Sequence, residues 1–121
     1  MHHSTHDILS PVPGVTRQLH SFHFGPRSGR KVYVPASVQA DELPGMLVAW
    51  HRKRQLLELD QQGRLQWEVI LVPVANPVGL EQVLLDAPLG RFELQSGENF
   101  NRNFVDLSDT IGDQVEAHLT Q

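Results

Sequence analysis

The chain has no cysteine. Disulfide staples and thiolate metal sites are therefore excluded, and any metal ion must be held by histidine, aspartate or glutamate. The same absence suits a reducing compartment, so a cytoplasmic protein is the expectation. No apolar stretch approaches the length of a membrane span, and the leading MHHSTHDILSPVPG lacks the continuous apolar centre of a secretory signal. A basic or acidic tail is missing too. The 10 Lys and Arg against 14 Asp and Glu leave a formal charge of −4. Nucleic acid and membrane surfaces are accordingly not expected as partners.

What is present is the composition of one soluble globular domain: 121 residues, 40% hydrophobic and 20% charged. Residues 1–14, rich in His, Ser and Pro, read as a mobile amino-terminal arm, with residues 15–121 as the domain. His2, His3 and His6 then belong to a solvated terminus rather than to a metal site. Arg17 to Phe24 predicts a strand, since Leu19, Phe22 and Phe24 alternate loosely. GPRSGRK over Gly25–Lys31 predicts a turn. A second strand starts at Val32-Tyr33-Val34. Pro35 places it at an edge or disturbs it locally, because proline donates no ladder hydrogen bond.

From Leu43 the period changes to a helical one. Leu43, Met46, Leu47, Trp50 and Leu57 form the expected inward stripe, Pro44 restricts the start to Asp41–Leu43, and Gly63 is the expected stop. Glu68 to Ala75, EVILVPVA, reads as a strand covered on both faces. Asn76-Pro77-Val78-Gly79 is a turn, and Leu80 to Arg91 stays open between short helix and ordered loop. A last helical pattern is carried by Ile111, Val115 and Leu119. Strand, helix, strand, loop and helix together predict an α/β fold with a mainly parallel sheet.

Open α/β sheets place ligands outside the carboxyl ends of their strands. One such end holds Gln39, Asp41 and Glu42. The next holds Asn76, followed by the loop with Asn99, Asn101 and Arg102. Taken singly these residues have ordinary explanations. Glu42 suits the first turn of a helix dipole, and Arg102 suits a surface ion pair. His20 and His23 fall on opposite faces of a strand and do not share a metal. His51-Arg52-Lys53-Arg54 reads as a solvated helix face, and Trp50 and Trp67 as packing residues.

Taken together, ASVQADELPGMLVAWH, VILVPVANPVGL and GRFELQSGENFNRNF resemble, in order, the succinylglutamate desuccinylase/aspartoacylase family of zinc hydrolases, relatives of the zinc carboxypeptidases. The resemblance runs from about Lys31 to about Leu107. It implies an amino-terminal part of a zinc-carboxypeptidase-like three-layer α/β fold with a mainly parallel or mixed sheet. The family's first motif, His-x-x-Glu, supplies two zinc ligands. Glu42 matches its glutamate, whereas Gln39 stands in the histidine position. Asn101 and Arg102 match the pair that grips a substrate carboxylate, Arg91 the arginine that polarises the scissile carbonyl, and Asn76 a loop-shaping residue at a strand end. A further histidine ligand and a water-activating glutamate belong downstream. His118 lies too near the end to match, so the resemblance implies that the catalytic half is incomplete here.

The implied activity is zinc-dependent hydrolysis of amide bonds in N-acyl amino acids or related acyl compounds. A catalytic zinc takes three protein ligands and an open position for water. A glutamine amide oxygen is a poor replacement for imidazole. The isolated chain is therefore expected to be inactive. The alternative is a non-catalytic remnant or interaction module that binds a small carboxylate through Asn101 and Arg102. An incomplete sheet would also expose an edge suited to self-association.

Overall fold

The computed structural model describes residues 1–10, 12–27 and 29–106. The pattern Ile111, Val115 and Leu119, together with His118, lies outside them. The strands β1 (His2–Ile8), β2 (Arg17–Phe24) and β3 (Lys31–Pro35) precede a long helix, α1 (Leu43–Gln61). Then follow β4 (Glu68–Val72), a single turn of helix α2 (Pro77–Leu80), and a small hairpin of β5 (Val83–Leu84) and β6 (Ala87–Pro88).

The main sheet has four strands in the order β1-β2-β4-β3. β1 and β2 are antiparallel, β2 and β4 are antiparallel, and only β3 and β4 run parallel. The sheet is thus mixed rather than mainly parallel. The reason is β1: residues expected to form a mobile arm pair along their whole length with β2, from His2 opposite His23 to Ile8 opposite Arg17. Polar strand residues such as His, Ser and Thr hide this pairing from a search for apolar alternation, because backbone hydrogen bonds carry it.

Among the described residues β3 is an outer strand, as its proline requires. Ala36 donates its N–H to Val72 O at 2.9 Å. Strand alternation then turns the Pro35 nitrogen to the open side, where no donor is needed.

α1 packs on one face of the sheet. Phe24, Ala49 and Leu71 form the buried centre, with Phe22, Ala36, Leu56, Leu57 and Leu65 packed around it. The inward stripe therefore differs from the expected one. Ala49 is buried while Leu43, Leu47 and Trp50 are half exposed. A small residue at the contact lets the helix approach Phe24 and Leu71 closely, and residue size alone does not reveal which side does so. Trp50 and Trp67 are also more exposed than packing residues would be; Trp67 lies under the Arg30 guanidinium at 5.6 Å. The helix stops where expected, at Gly63, whose φ of 64° suits a residue without a Cβ.

The opposite face of the sheet is polar. His6 Nε2 lies 3.4 Å from Ser21 Oγ, Ser21 Oγ lies 3.0 Å from His23 Nε2, and His23 Nδ1 lies 2.9 Å from Glu68 Oε1. Lys31 completes the row, 3.4 Å from Glu68 Oε2. All four strands contribute, so the row ties β1 to β3 across the sheet. The contact between His23 and Glu68 is an ion pair only where His23 is protonated.

No helix among the described residues is long and apolar enough to cross a membrane.

Candidate functional site

The segment from Ala36 to Glu42 leaves β3 and enters α1, and it is held from three sides. Ala75 donates its N–H to Ala36 O at 2.8 Å, and Asn76 donates its side-chain amide to Val38 O at 3.0 Å. Ala40 donates its N–H to Gly90 O at 2.8 Å. Gly90 is needed for this approach: a Cβ there would lie 2.5 Å from the Asp41 nitrogen. Asn76 also accepts from the Gly79 N–H at 2.8 Å, capping α2. Its place in the structure is that of a loop-shaping residue.

The loop of residues 91–102 folds back on this segment. Phe92 and Asn99 form a bridge, Glu93 donates to Glu98 O at 2.8 Å, and Phe100 donates to Arg91 O at 3.1 Å. Glu93 braces the turn by accepting from the Gln95 and Ser96 N–H groups, and those bonds hold its carboxyl below the usual range. This folding brings Arg91 and Asn99–Asn101 onto Gln39–Glu42.

Gln39 is buried and donates its Nε2–H to Asn99 Oδ1 at 2.9 Å. The same oxygen accepts the Asn101 N–H at 2.9 Å. Glu42 is exposed and stands at the N-cap of α1 without making a side-chain cap bond. It instead accepts from Arg91 Nη2 at 3.3 Å, while Arg91 Nε lies 3.4 Å from Asp41 Oδ2. Arg91 is thus a clamp between two carboxylates. Arg102 points elsewhere: it is exposed, and its guanidinium donates to Asn101 O at 2.6 Å.

Two cavities meet over this segment. The larger, about 670 Å³, runs between β3 and α1, with Ser37, Gln39, Glu42, Arg52 and Asn101 among its walls. The smaller, about 500 Å³, is bounded by Tyr33, Phe100 and Phe104. Pro35, Val38 and Asn101 line both. Ser37 is the residue that sequence reasoning missed. It has a φ of 58°, is only 6% exposed, and its hydroxyl has no partner among the described residues. A left-handed serine is uncommon, and a buried orphan hydroxyl asks for an explanation. Asp41 Oδ1 is likewise buried without a partner, but Asp41 lines neither cavity. Nothing in a single sequence marks Ser37, since its conformation is imposed by the bonds on either side of it.

The donor set around Gln39 does not fit a catalytic zinc. It offers no imidazole, one neutral amide whose oxygen is a poor zinc ligand, and the carboxylates of Asp41 and Glu42, both already paired with the Arg91 guanidinium. Among the described residues no group of three or more His, Cys, Asp or Glu is placed to hold a metal ion.

No family model matches the sequence, and no curated protein matches it. Solved structures do. One is named for the succinylglutamate desuccinylase/aspartoacylase family, from Shewanella amazonensis SB2B. It superposes with a TM-score of 0.75 at 29% identity, covering 98% of this chain and 32% of that one. A protein of Shewanella frigidimarina NCIMB 400, named succinylglutamate desuccinylase/aspartoacylase, gives a TM-score of 0.75 at 26% identity with the same coverage. The mixed α/β architecture is therefore the one those proteins share over this region. The family resemblance carried by the three motifs extends to the backbone of nearly the whole chain. The chain spans about a third of the length of the solved structures it matches.

Proposed function

We propose that the chain is the amino-terminal part of a three-layer, zinc-carboxypeptidase-like hydrolase fold for amide bonds of N-acyl amino acids or related acyl compounds. By itself it neither holds zinc at useful affinity nor hydrolyses its ligand. The observation that carries this reading is the bond from Gln39 to Asn99. The residue in the histidine position of the metal motif brings a neutral amide, a poor zinc ligand in place of imidazole, and that amide is tied to a neighbouring loop. Glu42, in the glutamate position, is neutralised by Arg91 at 3.3 Å. Neither position thus presents the imidazole or the uncompensated carboxylate that a catalytic zinc takes.

Zinc content by elemental analysis, together with hydrolysis of N-acyl amino acids, tests the reading. The expected result is far less than one zinc per chain and no turnover. Stoichiometric zinc with turnover would overturn it.

A second reading, binding of a small carboxylate, is favoured by the orphan hydroxyl of Ser37 on the larger cavity. Arg52 and Asn101 line the same space and supply a cation and an amide. Arg102 was the expected clasp, but Arg52 is the arginine on the cavity wall. Carboxylate-induced thermal stabilisation lost in Arg52→Ala and kept in Arg102→Ala supports this arrangement; the reverse pattern favours the clasp at Arg102.

Self-association belongs to the same proposal. Val32, Tyr33 and Val34 on the outer strand β3 are 39%, 59% and 38% exposed, an apolar edge suited to a second strand. Sedimentation at rising concentration should show a dimer, and a strictly monomeric chain would remove this part.

A further inference from the structure

We propose that His3 and His20 form a chelating site for a divalent transition-metal ion of the copper and nickel kind, fastening β1 to β2. The two residues are diagonal neighbours on the face of the sheet that α1 covers, since His3 stands opposite Phe22 and His20 opposite Thr5. His3 Nε2 lies 3.0 Å from His20 Nδ1, and both rings are solvent-accessible.

That separation suits one ion. With metal–nitrogen distances of about 2.05 Å, two nitrogens 3.0 Å apart subtend about 94° at the metal. The angle is close to the right angle between neighbouring ligands in square-planar or tetragonal sites, and further from the tetrahedral angle that zinc prefers. The ion replaces the proton shared between the rings. In a neutral pair that proton moves to an outer ring nitrogen by tautomer exchange and small ring rotations, so no net charge is lost from the protein.

The site is also partly preorganised. His3 stacks on Phe22 at 4.5 Å with an interplanar angle of 11°, and its ring lies 5.2 Å from that of His20 at 24°. Lys53 over Phe22 and Asp7 beside Gln18 bring charges of opposite sign to this face, so neither sign dominates it. The neighbouring imidazoles of β1 and β2 do not join the pair. His2 and His6 alternate to the opposite face of β1, and His6 and His23 belong to the polar row with Ser21 and Glu68. No third His, Asp or Glu joins the pair among the described residues, which leaves the remaining coordination positions to water. This site is separate from Gln39 and Glu42 and does not depend on the function proposed for them.

Calorimetric titration of the full chain with the chloride of copper(II) or nickel(II) tests the proposal. One ion per chain is expected, with copper tighter than nickel. His3→Ala and His20→Gln should each weaken copper binding at least about ten-fold, because removing either ring removes the chelate. His6→Ala should leave it unchanged. Copper binding undiminished in His20→Gln would mean that terminal imidazoles bind the ion by themselves, and would overturn the site. If a variant loses its fold by circular dichroism, paramagnetic broadening in the parent chain decides. Broadening centred on Phe22 and Thr5 supports the site, and broadening centred on His6 and Ser21 refutes it.

Discussion

Gln39 and Asn99, sixty residues apart in the chain, are joined by a side-chain hydrogen bond of 2.9 Å that closes the candidate site. The bond links the loop leaving β3 to the loop that carries Asn101, and Asn99 Oδ1 serves both the Gln39 amide and the Asn101 N–H. Removing that oxygen therefore leaves two donors without an acceptor. Asn99→Ala is expected to cost about 1–3 kcal/mol, measured by chemical denaturation, because the Gln39 amide is left buried and unpaired. A loss within error would mean that the loop is held by other contacts.

On the proposed reading, a histidine at position 39 should not by itself create a zinc site. Gln39→His adds an imidazole, but Glu42 stays paired with Arg91 and no third ligand is in reach among the described residues. Zinc retained after dialysis should remain well below one ion per chain in this variant. Full occupancy would show that the site needs only the one substitution.

Gly90→Ala should loosen the site without touching a charged group. The added Cβ would meet the Asp41 nitrogen at 2.5 Å and the Ala40 Cβ at 2.7 Å, so the loops must separate. A destabilisation of about 1–3 kcal/mol is expected from such overpacking. Faster hydrogen exchange at the Ala40 N–H, which Gly90 O accepts, should accompany it.

Glu68 sets an acid limit. Its carboxyl is held below the usual range first by the hydrogen bond from His23, with Lys31 adding attraction and burial opposing. A group whose folded value is depressed contributes stability that is complete above the ordinary carboxylate value of about 4.3 and is lost as pH falls through the folded value. Urea midpoints measured from pH 6 downward should therefore fall in the acid range, and Glu68→Gln should flatten that slope. An unchanged slope in the variant would assign the acid sensitivity to other groups.

Phe24 tests the core. It is fully buried between α1 and β4, so Phe24→Ala should cost about 3–5 kcal/mol by thermal or chemical unfolding. A loss below 1 kcal/mol, on the order of a surface change, would contradict the packing of α1 against the sheet.

Legibility in the sequence followed the strength of local signals. β2, α1 and β4 were readable because apolar alternation, Pro44 near a helix start and a β-branched run each act over a few residues. β1 was not, because its strand character comes from backbone pairing with β2 and not from its polar side chains. The β5–β6 hairpin is not legible for a related reason: its two-residue strands leave no periodicity to count, and its turn uses left-handed Leu85 and Asp86. The inward face of α1 was misjudged because Ala49, the smallest apolar residue of the stripe, sits deepest.

At the site, the sequence by itself determined that Gln39 and Glu42 stand where the family resemblance expects a histidine and a glutamate. It also determined that no thiolate could take part. Only the tertiary structure decided what those residues touch. Asn99 takes the Gln39 amide, Arg91 takes Asp41 and Glu42, Arg102 turns back on the Asn101 carbonyl, and Ser37 is left with a buried hydroxyl. The physical reason is that ligand chemistry is a property of residue type, whereas a hydrogen-bond partner is set by which distant loops the sheet brings within about 3 Å of each other.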